Sequence, residues 1–175
     1  LLQKLVRGDE ALRTLTLVEG WNIRQVRAAL ASAEQLKPET AGLDNEALMA
    51  ALGRPGLHPE GRFFPDSYTY AKGTSDLALL RRAMVAMDKR LDAAWAQRAP
   101  DVQVKTPQEA LILASIIEKE TRDPVYGPDI AQVLYNRLRA GMALQLDSTV
   151  IYAVNSPGTI TTTDEERANP SPYNT

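Results

Sequence analysis

The segment Lys105-Thr106-Pro107-Gln108-Glu109-Ala110-Leu111-Ile112-Leu113-Ala114-Ser115-Ile116-Ile117-Glu118-Lys119-Glu120 opens on a strong helix start and closes on three charges. Thr106 is placed to cap the helix, Pro107 takes its first position, and Glu109 completes a capping box. From Ala110 to Ile117 the residues are apolar all the way round, apart from Ser115. That pattern predicts a buried central helix, not an amphipathic surface one. Glu118 follows one turn above Ala114 and Ser115, so its side chain is expected to continue a buried face. Desolvation and the helix C-terminus both favour a neutral carboxylic acid there, which suits a general acid. Glu120 lies about 200° further round, so the two carboxyls do not form a dyad. Lys119 can pair with either. The plain alternative is a core helix turning polar where it meets water.

Downstream, Asp123-Pro124 turns the chain. A helix is expected over about Asp129 to Arg139, with Ile130, Val133, Leu134 and Leu138 inward and Gly141 as its stop. Asn136 and Arg137 sit near its end. Leu144 and Leu146 alternate with Gln145, predicting a short strand from Met142 to Asp147. Asp147 then caps a helix from Ser148 to Val154, on which Thr149 and Tyr152 share a face.

Upstream, Thr14 to Val18 alternates as a short strand, and Asn22 with Gln25 starts a helix carrying Ile23, Val26, Ala29 and Leu30 inward. A second short helix follows Asp44 and ends at Gly53. Residues 53–75 are rich in Gly, Pro and aromatic rings, which reads as ordered loop and short strand. A long helix from Ser75 to about Arg98 presents Leu77, Leu80, Met84, Met87, Leu91 and Trp95 on one side. The elements together predict an α+β, mainly helical chain.

Composition narrows the chemistry. The 175 residues carry 20 Lys+Arg against 22 Asp+Glu, so a net charge of −2 gives no global pull towards nucleic acid or an anionic membrane. Cysteine is absent, which excludes disulfides, thiolate catalysis and Cys-ligated metals. His58 is the single histidine and makes a multi-His metal site or a Ser-His-Asp triad implausible. It lies in a loop and is assigned no role. Acid–base chemistry near neutral pH is left to carboxylates, Lys or Tyr. No run of 18 apolar residues is present. The chain opens mid-pattern at Leu1 and stops at Thr175 just after a turn-like Asn-Pro-Ser-Pro, so both ends read as cut or disordered.

Several motifs, in order, carry a specific resemblance. Ile112 to Thr121 (ILASIIEKET), Val133 to Met142 (VLYNRLRAGM) and Leu144 to Tyr152 (LQLDSTVIY) are similar to the YceG-like, or endolytic murein transglycosylase, family. Glu60-Gly61-Arg62-Phe63-Phe64-Pro65-Asp66-Ser67-Tyr68 resembles its Glu-Gly-x-x-Phe-Pro-Asp-Thr-Tyr segment. Val18-Glu19-Gly20-Trp21 and Tyr173-Asn174-Thr175 also match. Ser148 departs from the family's usual proline, and the loop from Val154 to Glu165 supports nothing.

The resemblance implies a lysozyme-like catalytic core over 101–175. It also implies a helical connector with its Gly/Pro/aromatic loop over 36–100, and a truncated LysM-like piece over 1–35. It implies cleavage of the MurNAc–GlcNAc β-1,4 bond inside glycan strands to give 1,6-anhydro ends, with Glu118 as acid and then base. Gln145, Asp147, Thr149 and Tyr152 would line the cleft, with Asn136, Tyr173 and Asn174 as further candidates. Each of these polar residues could instead bond only local backbone. Phe64, Tyr68 and Tyr70 could stack on sugars or simply pack. No metal or cofactor is expected. The partners implied are peptidoglycan strands and cell-wall synthesis machinery at the cell envelope, in the periplasm or on the outer face of the cytoplasmic membrane. The implied anchor is an N-terminal helix not contained in these residues. Three rivals differ in chemistry: a hydrolytic muramidase using Glu118 and a second acid such as Asp147, a pyridoxal-phosphate lyase using Lys119, and a non-enzymatic glycan-binding module. The lyase lacks a Gly-rich phosphate loop.

Overall fold

The computed structural model describes residues 12–121, 123–154 and 162–171. The chain forms two compact units, Leu1–Ala94 and Trp95–Thr175.

In the first unit, β1 (Arg13–Thr16) pairs antiparallel with β2 (Ser67–Tyr70), Leu15 opposite Tyr68. Leu17 N–H donates to Asp66 O at 2.9 Å and carries the ladder one step further. Tyr68 and Tyr70 point into the core, while Thr16 and Ser67 meet on the wet face at 2.8 Å. Gly20, at φ 73°, turns the chain from β1 into α1 (Ile23–Ser32). The expected capping box forms between Asn22 and Gln25, and Ile23, Val26 and Leu30 are buried. Asp44 caps α2 (Asn45–Ala51) through Ala47 N–H at 2.8 Å.

The long helix is α3 (Asp76–Ala96). Its buried residues are Asp76, Leu79, Leu80, Ala83 and Met84. Full burial is therefore concentrated in the first half, while the expected face holds along the helix: Leu80 and Met84 are buried, and Leu77, Met87, Leu91 and Trp95 are half-buried. Asp76 is a buried carboxylate that periodicity did not flag. It accepts Thr40 N–H at 3.1 and 3.2 Å and the Thr40 hydroxyl at 2.6 Å. Those bonds, three from one threonine, supply the partners that a buried charge requires.

Two of the upstream motifs meet in space. The Glu60 carboxylate accepts the N–H of Ile23, at 3.2 and 3.3 Å. That N–H opens α1 and has no partner within the helix, and the helix N-terminus favours a negative charge. The Glu-Gly segment thus serves the fold of the first unit. The aromatic residues of the same segment do likewise. Tyr68 and Tyr70 are core residues, and Phe64 is half-buried with the Arg90 guanidinium 5.3 Å from its ring centre. The His58 Nδ1 accepts Glu60 N–H at 3.2 Å.

The second unit contains α4 (Pro107–Glu120), α5 (Gly127–Arg139), α6 (Asp147–Val154) and α7 (Asp164–Arg167). Helix α4 packs on α5 and α6, and α6 packs on α7. Val104, Leu113, Ile116 and Leu134 form the core, flanked by Trp95, Ile130, Leu144 and Leu146.

Candidate functional site

Helix α4 starts as expected at Thr106, whose hydroxyl accepts Glu109 N–H at 3.1 Å. Glu109 reaches back one residue further than a capping box requires, to Lys105 N–H at 2.7 Å. The helix is not buried all round. Leu113 and Ile116 face α5 and α6, but Ile112 is 51% exposed, and Ala114 and Ser115 are exposed as well. Glu118 shares the open side and is itself exposed. The expected desolvation of its carboxyl in the free chain is therefore corrected. Among the described residues, neighbours cover one flank of α4 only, and an apolar sequence does not by itself recruit cover for the other. Glu118 makes no hydrogen bond or ion pair among the described residues, and neither does Glu120. The helix closes at Thr121, whose N–H bonds Ile117 O at 3.1 Å.

Helix α5 begins at Gly127, two residues earlier than expected. Pro128 stands in its first turn, and only Leu134 is fully buried. Ile130 is half-buried. Val133, at 53% exposed, and Leu138 face outward, against expectation. The end of α5 is a Schellman motif. Gly141 adopts φ 64°, its N–H bonds Leu138 O at 3.2 Å, and Met142 N–H bonds Arg137 O at 2.9 Å.

The chain returns past α5, and no strand forms over 142–146. The alternation of Leu144 and Leu146 is real, because both pack into the core. However, no neighbouring strand is there to pair with among the described residues, and Gln145 breaks the extended path at φ 54°. Gln145 is exposed. Arg137 Nη1 donates to Leu144 O at 2.6 Å, Ala143 O at 3.3 Å and Gln145 Oε1 at 3.4 Å. Arg137 is the contributor that sequence reasoning passed over. Its signal was a long cation one turn before a glycine reversal, placed to meet carbonyls on the returning chain.

Asp147 opens α6, is exposed, and accepts a hydrogen bond from the Thr162 hydroxyl. Arg167 in turn donates to Thr162 O at 2.8 Å and bonds Asp164 at 2.6 Å. Thr149 is buried and donates its hydroxyl to Leu146 O at 2.8 Å, with half-buried Tyr152 one turn on. Asn136 is exposed and accepts from Gln132 Nε2 at 2.9 Å. Tyr173 and Asn174 lie outside the described residues. The Ser148 hydroxyl oxygen is buried with no hydrogen-bond partner. A proline at this position would leave no such orphan. A depression of about 450 Å³ in the first unit, lined by Arg13, Glu34 and Tyr70 among others, contains none of the candidate residues.

A small, mainly helical unit thus carries two exposed carboxylates, Glu118 and Glu120, at the end of its central helix, and a separate polar segment, 142–147, that Arg137 holds. The sequence profile of the YceG-like family matches residues 1–175, and the chain belongs to that family. It is 29% identical over 170 residues to the endolytic murein transglycosylase of Bacillus subtilis (strain 168), covering 87% of this chain and 47% of that protein. It is 28% identical over 188 residues to the endolytic murein transglycosylase of Streptococcus pneumoniae serotype 2, covering 90% of this chain and 33% of that protein. The chain therefore spans between a third and a half of these relatives. The crystal structure of a yceG-like protein, lmo1499, from Listeria monocytogenes superposes with a TM-score of 0.69 at 29% identity. The match covers 99% of this chain and 62% of that one.

Proposed function

We propose that this chain carries the glycan-cleaving part of an endolytic murein transglycosylase, with residues 95–175 as its lysozyme-like half and Glu118 as the only acid–base group. The observation that carries the reading is the place of Glu118. It stands solvent-accessible and unpaired near the end of the central helix, inside the segment Ile112 to Thr121 that resembles the family's own. Ordinary glycosidases need two carboxyls, about 5 Å or about 6.5–9.5 Å apart. A transglycosylase needs one. The Glu118 carboxyl gives its proton to the glycosidic oxygen as the bond from that oxygen to the muramyl C1 breaks. The carboxylate then takes the proton of the muramyl C6 hydroxyl while that oxygen closes on C1. The proton count returns to its start, no water is consumed, and the product is a 1,6-anhydro end. Exposure in the free chain is compatible with this chemistry, because a bound strand itself excludes water from the carboxyl.

Asp147 is less suited to be a second base, since its carboxylate is already engaged by Thr162 at the start of α6. Gln145, Asp147, Thr149, Tyr152, Asn136, Tyr173 and Asn174 are proposed to orient sugar hydroxyls and acetamides. Peptidoglycan as substrate places the protein at the cell envelope. No helix among the described residues is long and apolar enough to cross a membrane.

The test is mass analysis of products from purified glycan strands, with Glu118→Gln alongside. Cleavage to products one water lighter than hydrolysis would give, lost at least about 100-fold in Glu118→Gln, is expected. Hydrated products would point to a muramidase. Strand binding with no cleavage would point to a glycan-binding module.

A further inference from the structure

We infer that Arg137 is a positioning residue: it holds Gln145 in a left-handed backbone conformation and turns the Gln145 amide so that its NH2 group faces the glycan. This rests on the reading of residues 95–175 given above.

Three observations carry the inference. First, Gln145 has φ 54°, a region that side-chain-bearing residues rarely adopt. Glycine would sit there without strain, and the position is exposed, so core packing does not explain the choice of glutamine. Strain kept at an exposed polar residue points to a use for that side chain. Second, the strain is held from both sides. Leu144 and Leu146 anchor the flanks in the core, and Arg137 Nη1 grips Leu144 O at 2.6 Å. Third, the same nitrogen lies 3.4 Å from Gln145 Oε1. A guanidinium is donor-only, so it selects the amide oxygen and leaves the two Nε2 hydrogens for an acceptor. The acceptors on a glycan strand are acetamide carbonyls, hydroxyls and ether oxygens.

The other left-handed glutamine shows what a purely structural case looks like. Gln35, at φ 65°, lies just past α1 and also has its amide oxygen on an arginine, Arg13 Nε at 3.2 Å, so what separates the two is the backbone. The Gln35 carbonyl accepts Gly73 N–H at 2.8 Å and ties two segments of the fold together. Gln145 ends no helix, and among the described residues its backbone has no comparable tie.

The experiment is a double-mutant cycle on Arg137→Lys and Gln145→Gly. Binding of isolated glycan strands is measured in a Glu118→Gln background, so that strands stay intact, and cleavage is measured with Glu118 present. Gln145→Gly should keep or raise Tm, because it relieves the backbone, yet weaken strand binding about tenfold and raise KM more than it lowers kcat. Arg137→Lys should weaken binding several-fold. In the double variant the two losses should not add, because Arg137 acts through the side chain already removed. Wild-type binding in Gln145→Gly, additive losses in the double variant, or no strand binding by any form would each overturn the inference. If strands bind with the expected cycle but the Glu118 protein cleaves nothing, the transglycosylase reading fails and this inference stands. If cleavage proceeds and Gln145→Gly binds normally, the reverse holds.

Discussion

Two side chains show how far a residue's identity predicts its surroundings. Tyr68 is a core residue whose hydroxyl donates to Phe64 O at 2.7 Å. Burial, aided by the nearby Asp66 carboxylate, raises its phenol above the ordinary 10.0, while Arg82 pulls the other way. The folded state therefore favours the neutral phenol. The stabilisation is complete below pH 10.0 and is lost as pH rises through the raised value. Tyr68→Phe should lose about 1 kcal/mol at neutral pH through the missing hydrogen bond. It should also flatten the fall of Tm with pH in the alkaline range, as checked by melting curves from pH 8 to about 11. Glu118 teaches the opposite lesson. Its motif could be read along the chain, but its surroundings could not. Burial depends on what covers a helix face, and the letters of α4 do not say which flank α5 and α6 will take.

Helix starts were more legible than helix faces. Asn22 and Thr106 cap as expected, and the helix expected after Asp44 is capped by it, because a cap needs only a side-chain oxygen and an N–H two or three residues on. The inward set of α5 was half right, and the strand over 142–146 did not form, since both depend on distant partners. Gly141 was legible as a stop, and its geometry gives a clean test. A Cβ there would meet nothing within 4 Å, so only the backbone resists it. Gly141→Ala should therefore cost about 1–2 kcal/mol, read as a lower denaturation midpoint with an unchanged far-UV spectrum. The returning chain and Arg137's grip on it depend on this turn, so glycan binding should fall as well.

Across the whole molecule, each unit has its own core, and each core can be weakened separately. Leu134 is 1% exposed and stands at the centre of the second unit's apolar cluster. Leu134→Ala should cost about 2–5 kcal/mol through lost transfer energy and the cavity left behind. Faster hydrogen exchange of amides in α4, α5 and α6 would register it. The mainly helical class was readable because apolar spacing is local. The division at Ala94 and Trp95 was not, because it falls in the last turn of one unbroken helix and no proline, glycine or charge run marks it.

The threonine seated on Asp76 has one more implication. Residues between α1 and α2 look like slack on paper, a connector that could be lengthened at will. With Thr40 bonded to the opening turn of α3, and Lys37 bridged to Ser75, that slack is pinned partway along its length. Evolution or an engineer adding residues there would find room only between Thr40 and Leu43, because Arg27 holds the Leu43 and Asp44 carbonyls at the entry to α2.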